Sequence, residues 1–111
     1  MEYMCLFYAA GDADMGPEAF DECMSVAQKA HAAGVMRDAR GLEDTSAATT
    51  VRVRDGKRVL SDGPFAETKE VLTGYFMLEC SSLDEAIEWA AQLPASRYGC
   101  VEVRPVRALE P

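Results

Sequence analysis

Seven consecutive apolar residues near the start, "YMCLFYA" (Tyr3 to Ala9), set the first condition on the fold. Unbroken apolarity with β-prone aromatics reads as a strand buried on both faces. A second run of the same kind, "LTGYFMLECS", begins at Leu72. Side chains alternate across a strand, so Tyr3, Cys5 and Phe7 share one face while Met4, Leu6 and Tyr8 share the other. Tyr75 and Met77 oppose Phe76 and Leu78 in the same way. Only two helices are legible elsewhere, and two helices cover one face of a sheet. The other face is left apolar and bare, which marks an interface. A homodimer packed sheet to sheet, with clefts at the junction, is therefore expected.

The helices have clear punctuation. Pro17 suits a first helical position, and Glu18, Asp21 and Glu22 follow at the positive dipole end. Phe20, Cys23, Met24, Ala27, Ala30 and His31 fall at helical spacing as an amphipathic stripe, which Gly34 stops. A short strand is expected over Val35 to Leu42. In "TTVRVRDGKRVLS", Asp55-Gly56 between two β-prone runs predicts a tight hairpin. A two-residue loop sets Val51 opposite Leu60 but Val53 opposite Arg58, so a bulge or longer turn competes with that register. Ser82 and Glu85 form a capping box ahead of a stripe of Leu83, Ala86, Ile87 and Ala90, widened by Trp89 and Leu93 and ended by Pro94. "CVEVRPV" alternates as a last strand with one wet face. "GDADMG" (11–16) breaks the first strand from the first helix. The order strand, helix, strand, hairpin, strand, helix, strand predicts an α+β fold: a ferredoxin-like sandwich of two β-α-β halves with an inserted β-hairpin. Right-handed crossovers put both helices on one face.

At 111 residues the chain suits a single domain spanning 1–111. The net charge of −8 argues against nucleic acid and against anionic membrane surfaces. No apolar run approaches the roughly 18 to 20 residues that span a bilayer. The N-terminus lacks the basic segment of a signal peptide, so a cytoplasmic location is expected. Cys5, Cys23, Cys80 and Cys100 form no C-x-x-C pair and read as small buried hydrophobes. The strand order makes Cys5, Cys80 and Cys100 neighbours, but packing outweighs a metal site, and no metal or cofactor is expected.

The residues from "TTVRVRDGK" to "VEVRPV" carry a resemblance. Asp62-Gly63-Pro64-Phe65 followed by Ala66-Glu67-Thr68-Lys69-Glu70, then Gly74-Tyr75, the helix around Trp89, and Val101 to Pro105 resemble the DGPF branch of the YCII-related family. "EYMCLFYA" is similar to that family's opening strand. The resemblance implies a ferredoxin-like fold assembled as a dimeric α+β barrel. It implies, for some relatives, enzymes acting on chlorinated hydroxyquinol-type aromatics with a His and Asp pair, and for others a link to extracytoplasmic-function sigma factors. The His would follow a Pro early in the first helix, where Phe20 stands. The Asp would precede a Pro near the end of the second, where Leu93 stands. Both partners are missing here, and Phe cannot replace a group that titrates near neutral pH.

The loop "SDGPFAETKE" is the candidate site. Asp62 is either a carboxylate at a cleft mouth, acting as general base or ligand acceptor, or the side chain of an Asx turn. Phe65 packs on the sheet or stacks on a ligand. Glu67, Thr68, Lys69 and Glu70 either line an anion- or enol-binding pocket or form a solvated, ion-paired loop. Tyr75 and Tyr98 are amphipathic enough to line a cleft, with core or interface packing as the other reading. His31, the one histidine, reads as a helix-dipole contact, and Arg97 either holds a ligand carboxylate or contacts a helix end. Two functions follow: an enzyme acting on polar aromatic or enolic small molecules at a dimer cleft, or a non-catalytic binding or regulatory module associated with a sigma factor.

Overall fold

The computed structural model describes residues 1–10 and 16–109. The predicted break at 11–16 lies, apart from Gly16, outside the described residues. Along the chain run β1 (Glu2–Ala10), α1 (Gly16–Ala32), β2 (Met36–Gly41), a 3-10 turn (Thr45–Ala47), β3 (Thr49–Arg54), β4 (Lys57–Asp62), β5 (Glu70–Glu79), α2 (Leu83–Ala91), α3 (Ala95–Tyr98) and β6 (Gly99–Pro105). Four strands form an antiparallel sheet in the order β2-β5-β1-β6. β3 and β4 pair in a separate two-stranded sheet. The architecture is α+β and compatible with the expected ferredoxin-like arrangement.

The core lies between the sheet and the helices. Tyr3, Cys5 and Phe7 of β1 and Phe76 and Leu78 of β5, with Cys80 just past the end of β5, pack with Val26, Ala30, Ala86, Ala90 and Leu93. Phe7 and Phe76 meet edge to face with ring centroids 5.0 Å apart, a geometry that aligns a ring's positive edge with its neighbour's negative face. Met4, Leu6, Tyr8, Tyr75 and Met77 lie half-buried on the opposite face, as the alternation requires. One irregularity interrupts it. Phe7 pairs with Gly74 but Tyr8 with Leu72, so Thr73 is the extra residue of a β-bulge.

The helices sit on smaller residues than their stripes suggested. In α1, Ala19, Val26 and Ala30 are buried, while Phe20, Met24 and His31 are exposed. In α2, Ala86 and Ala90 are buried, while Leu83 and Ile87 are exposed. Alanines permit close approach to the sheet, and the bulky members of each stripe overhang its margin. Ser82 Oγ accepts from the Glu85 N–H at 3.2 Å, as predicted. Glu85 closes the box one residue early, its carboxylate accepting from Ser81 N–H at 2.7 Å and Ser81 Oγ–H at 2.6 Å. Pro94 ends α2 and also opens the short α3, which periodicity over so few residues could not reveal.

The hairpin takes the register that seemed in conflict. Val51 pairs with Leu60 and Val53 with Arg58, with no bulge. Asp55 (φ 51°) and Gly56 (φ 74°) both occupy the left-handed region that a two-residue turn of this hand requires. Apolar cross-strand partners are demanded only where a face is buried, and both faces of this hairpin meet solvent at most positions.

Leu78 sits fully buried near the C-terminal end of β5. Leu78→Ala is expected to cost about 2 to 5 kcal/mol in urea unfolding. Leu60→Ala, on the exposed hairpin, is expected to cost under about 1 kcal/mol.

Candidate active-site pocket

Between α1 and the sheet lies a pocket of about 390 Å³. Phe7, Gly74 and Phe76 form its floor, and Ala19, Phe20, Cys23, Met24 and Ala27 of α1 form one wall. Ala39, Arg40 and Gly41 of β2 supply the edge, and Leu93, Pro94 and Ala95 close the end between α2 and α3. The lining is mostly carbon. Thr73 adds a hydroxyl that donates to the Phe7 carbonyl at 3.3 Å. Burial pushes the Cys23 thiol above its ordinary range, keeping it neutral. Gly74 fixes how close the edge strand lies, because a Cβ there would meet the Arg40 carbonyl oxygen at 2.6 Å.

Arg40 borders this pocket, but it stands opposite Tyr75 of β5, so its guanidinium belongs to the open sheet face. It pairs with Asp38 at 2.8 Å, and its Nη1 donates to the Ala39 carbonyl at 2.8 Å. The Tyr75 hydroxyl donates to Asp38 Oδ2 at 2.8 Å. That hydrogen bond is the main cause that holds the Asp38 carboxyl below the usual range; desolvation opposes it, and the Ala39 N–H and the Arg40 charge add smaller support. The same bond raises the Tyr75 phenol. The three side chains tie β2 to β5 where the edge strand would otherwise be held by backbone alone.

The loop residues stand apart. Asp62 ends β4 opposite Thr49, and Asp62, Phe65, Glu67, Thr68 and Lys69 are all exposed. Phe65 is 77% exposed. None of these lines the pocket, and Tyr75 points from the opposite sheet face. The turn at Gly63 is secured by Ala48 and Thr50 rather than by Asp62: Gly63 N–H donates to the Ala48 carbonyl at 2.7 Å, and Thr50 Oγ1 donates to the Gly63 carbonyl at 2.9 Å. Thr68 Oγ1 donates to the Glu70 carbonyl at 2.5 Å. Arg97 pairs with Glu22, joining α3 to α1.

The cysteine neighbourhood resolves by face. Cys5 and Cys80 share the helix side, and Cys5 is pushed up to about 11 by burial first and by Cys80 second. Cys100 pairs with Tyr8 on the other side and is exposed, its thiol directed at Glu70. Among the described residues no three His, Cys, Asp or Glu side chains are placed to hold a metal.

Phe20 and Leu93, far apart in sequence, both line the pocket. They are the two positions at which the sequence resemblance implied a His and an Asp. The model of the YCII-related domain matches residues 1–110. The chain belongs to the YCII-related family. It is 40% identical over 89 residues to an uncharacterised protein of Rhizobium meliloti (strain 1021), covering 78% of this chain and 72% of that protein. In this YCII-related chain, then, apolar groups stand at both of those positions of the pocket. No helix among the described residues is long and apolar enough to cross a membrane.

Asp38 and Arg40 were missed because "RDARG" reads as a polar strand of no particular role. Their spacing of two, which places opposite charges on one strand face, was the available signal. Since the folded Asp38 carboxyl titrates below 3.8, its bond stabilises the protein above that pH and the stabilisation is lost as pH falls through the folded value. Since the folded Tyr75 phenol titrates above 10.0, its contribution holds below that pH and is lost on raising it further. Tyr75→Phe is therefore expected to lower Tm by a constant amount between about pH 5 and 9, with the gap closing outside that window in thermal melts.

Proposed function

We propose that this chain is a non-catalytic binding protein for an apolar, aromatic-sized small molecule, and that it works as a homodimer packed through its open sheet face. The observation that carries the binding reading is the pocket itself. Its 390 Å³ falls within the span of small-molecule sites, and its lining is mainly aliphatic and aromatic. General acid–base work needs a group that exchanges protons near neutral pH within reach of substrate. Phe20 and Leu93 supply none, and the Cys23 thiol is held neutral by its burial. An edge-to-face pair of phenyl rings on the floor favours a flat, apolar guest.

The homodimer is supported by the open face. Met4, Leu6, Tyr8, Tyr75 and Met77 form a contiguous patch there that no helix among the described residues covers. Burying such a patch against its own copy satisfies both at once.

A fluorescent apolar probe such as anilinonaphthalene sulfonate should bind the wild type and shield Cys23 from alkylation. Ala27→Phe, which fills the pocket, should abolish both effects while the protein still melts cooperatively. Asp62→Asn should change neither. The reading fails if Ala27→Phe binds the probe as the wild type does. It also fails if a substrate panel yields turnover that Asp62→Asn removes.

A further inference from the structure

The β3–β4 hairpin is out of scale with the rest of the chain. A folded domain of this length has a radius of gyration near 13 Å, whereas this one reaches 15.8 Å. A monomer of 12.1 kDa exposes roughly 6,000 Å², whereas this chain exposes 7853 Å². The surplus, roughly 1,800 Å², is about twice what one protomer gives to a standard interface, so a single flat contact does not use it up.

Two strands alone are at best marginally stable in water, yet this pair is built with apolar side chains facing out. Val51, Val53 and Leu60 share one face and are 58%, 61% and 58% exposed. Phe65 follows at 77%. Charge is distributed unevenly as well. Arg52, Arg54, Lys57 and Arg58 stand in the segment 49–62 with only Asp55 and Asp62 against them, leaving it at +2 and the remaining chain at −10 within the total of −8. A basic, apolar arm on an acidic body is complementary to the body of another copy.

We propose that the β3–β4 hairpin is a clasp that lies on a second copy of this chain, burying Val51, Val53 and Leu60 and setting Arg58, which shares their face, against the partner's acidic surface. The surplus area and the charge division both select this occupant. The clasp rests on the homodimer reading only in taking a second copy as partner, and its contribution is separable from that of the sheet face.

Sedimentation of the full chain tests it, with circular dichroism as the check on folding. The combined variant Val51→Ser, Val53→Ser, Leu60→Ser should raise the dimer Kd about 30-fold or more. Raising NaCl from 50 to 500 mM should weaken the wild-type dimer, and Arg58→Ser should reduce that salt dependence. A dimer Kd within about threefold of wild type in the combined serine variant overturns the clasp. If Leu6→Lys alone then abolishes the dimer, the sheet-face reading survives that result. If instead Leu6→Lys leaves the dimer intact while the serine variant dissociates, the clasp stands and the sheet-face reading falls. A monomeric wild type overturns both, as does arm-dependent binding to duplex DNA or an acidic peptide by a chain that does not self-associate.

Discussion

The antiparallel pairing of β1 with β5 is the constraint from which the remaining geometry follows. It places Cys5 beside Phe76 and Tyr3 beside Leu78, so two uninterrupted apolar strands become the centre of one sheet. Each then has a face to give away. The helices take one, resting on Ala30, Ala86 and Ala90 because only small side chains allow such close approach. β2 and β6 add at the edges, and the pocket opens where α1 no longer reaches the floor set by Phe7 and Phe76. Hydrophobic burial stabilises the fold without specifying it; the alternation along these two strands does the specifying.

Much of this architecture was legible because its signals are local. Apolar runs, a turn dipeptide, a helix cap and two stop signals gave the element order, and right-handed connection gave the sheet. The hairpin register was also correct on simple counting, and it looked wrong only under the assumption that the hairpin had a buried face. The helix stripes were less accurate for a related reason. Periodicity marks which residues share a face, but not how far a helix rolls to let alanine rather than phenylalanine meet the sheet.

The pocket was not legible, because its lining comes from five separate segments whose residues are individually bland. Charge is dense instead in "SDGPFAETKE". Density of charge in a loop says that the loop is solvated, and solvation is what the exposed side chains of Asp62, Glu67 and Lys69 show. The two residues at which the family likeness implied a His and an Asp both line the pocket. Phe20 and Leu93 converge although they are separated by most of the chain. Their apolar character, with the Cys23 thiol raised by burial beside them, is what the proposed receptor reading rests on.

The bulge at Thr73 has a meaning for how such a chain can vary. Beyond it, the parity of β5 is reversed: Leu72 and Glu70 point away from the helices, with Leu72 opposite Tyr8 and Glu70 opposite Ala10. The pairing between Phe7 and the residues from Gly74 onward is thus already insulated from whatever precedes Thr73. Residues can be gained or lost between the hairpin and β5 without transposing the core and open faces, since the slip has been absorbed once. An appendage can therefore be lengthened, exchanged or remade by mutation while the scaffold beneath keeps its inside inside.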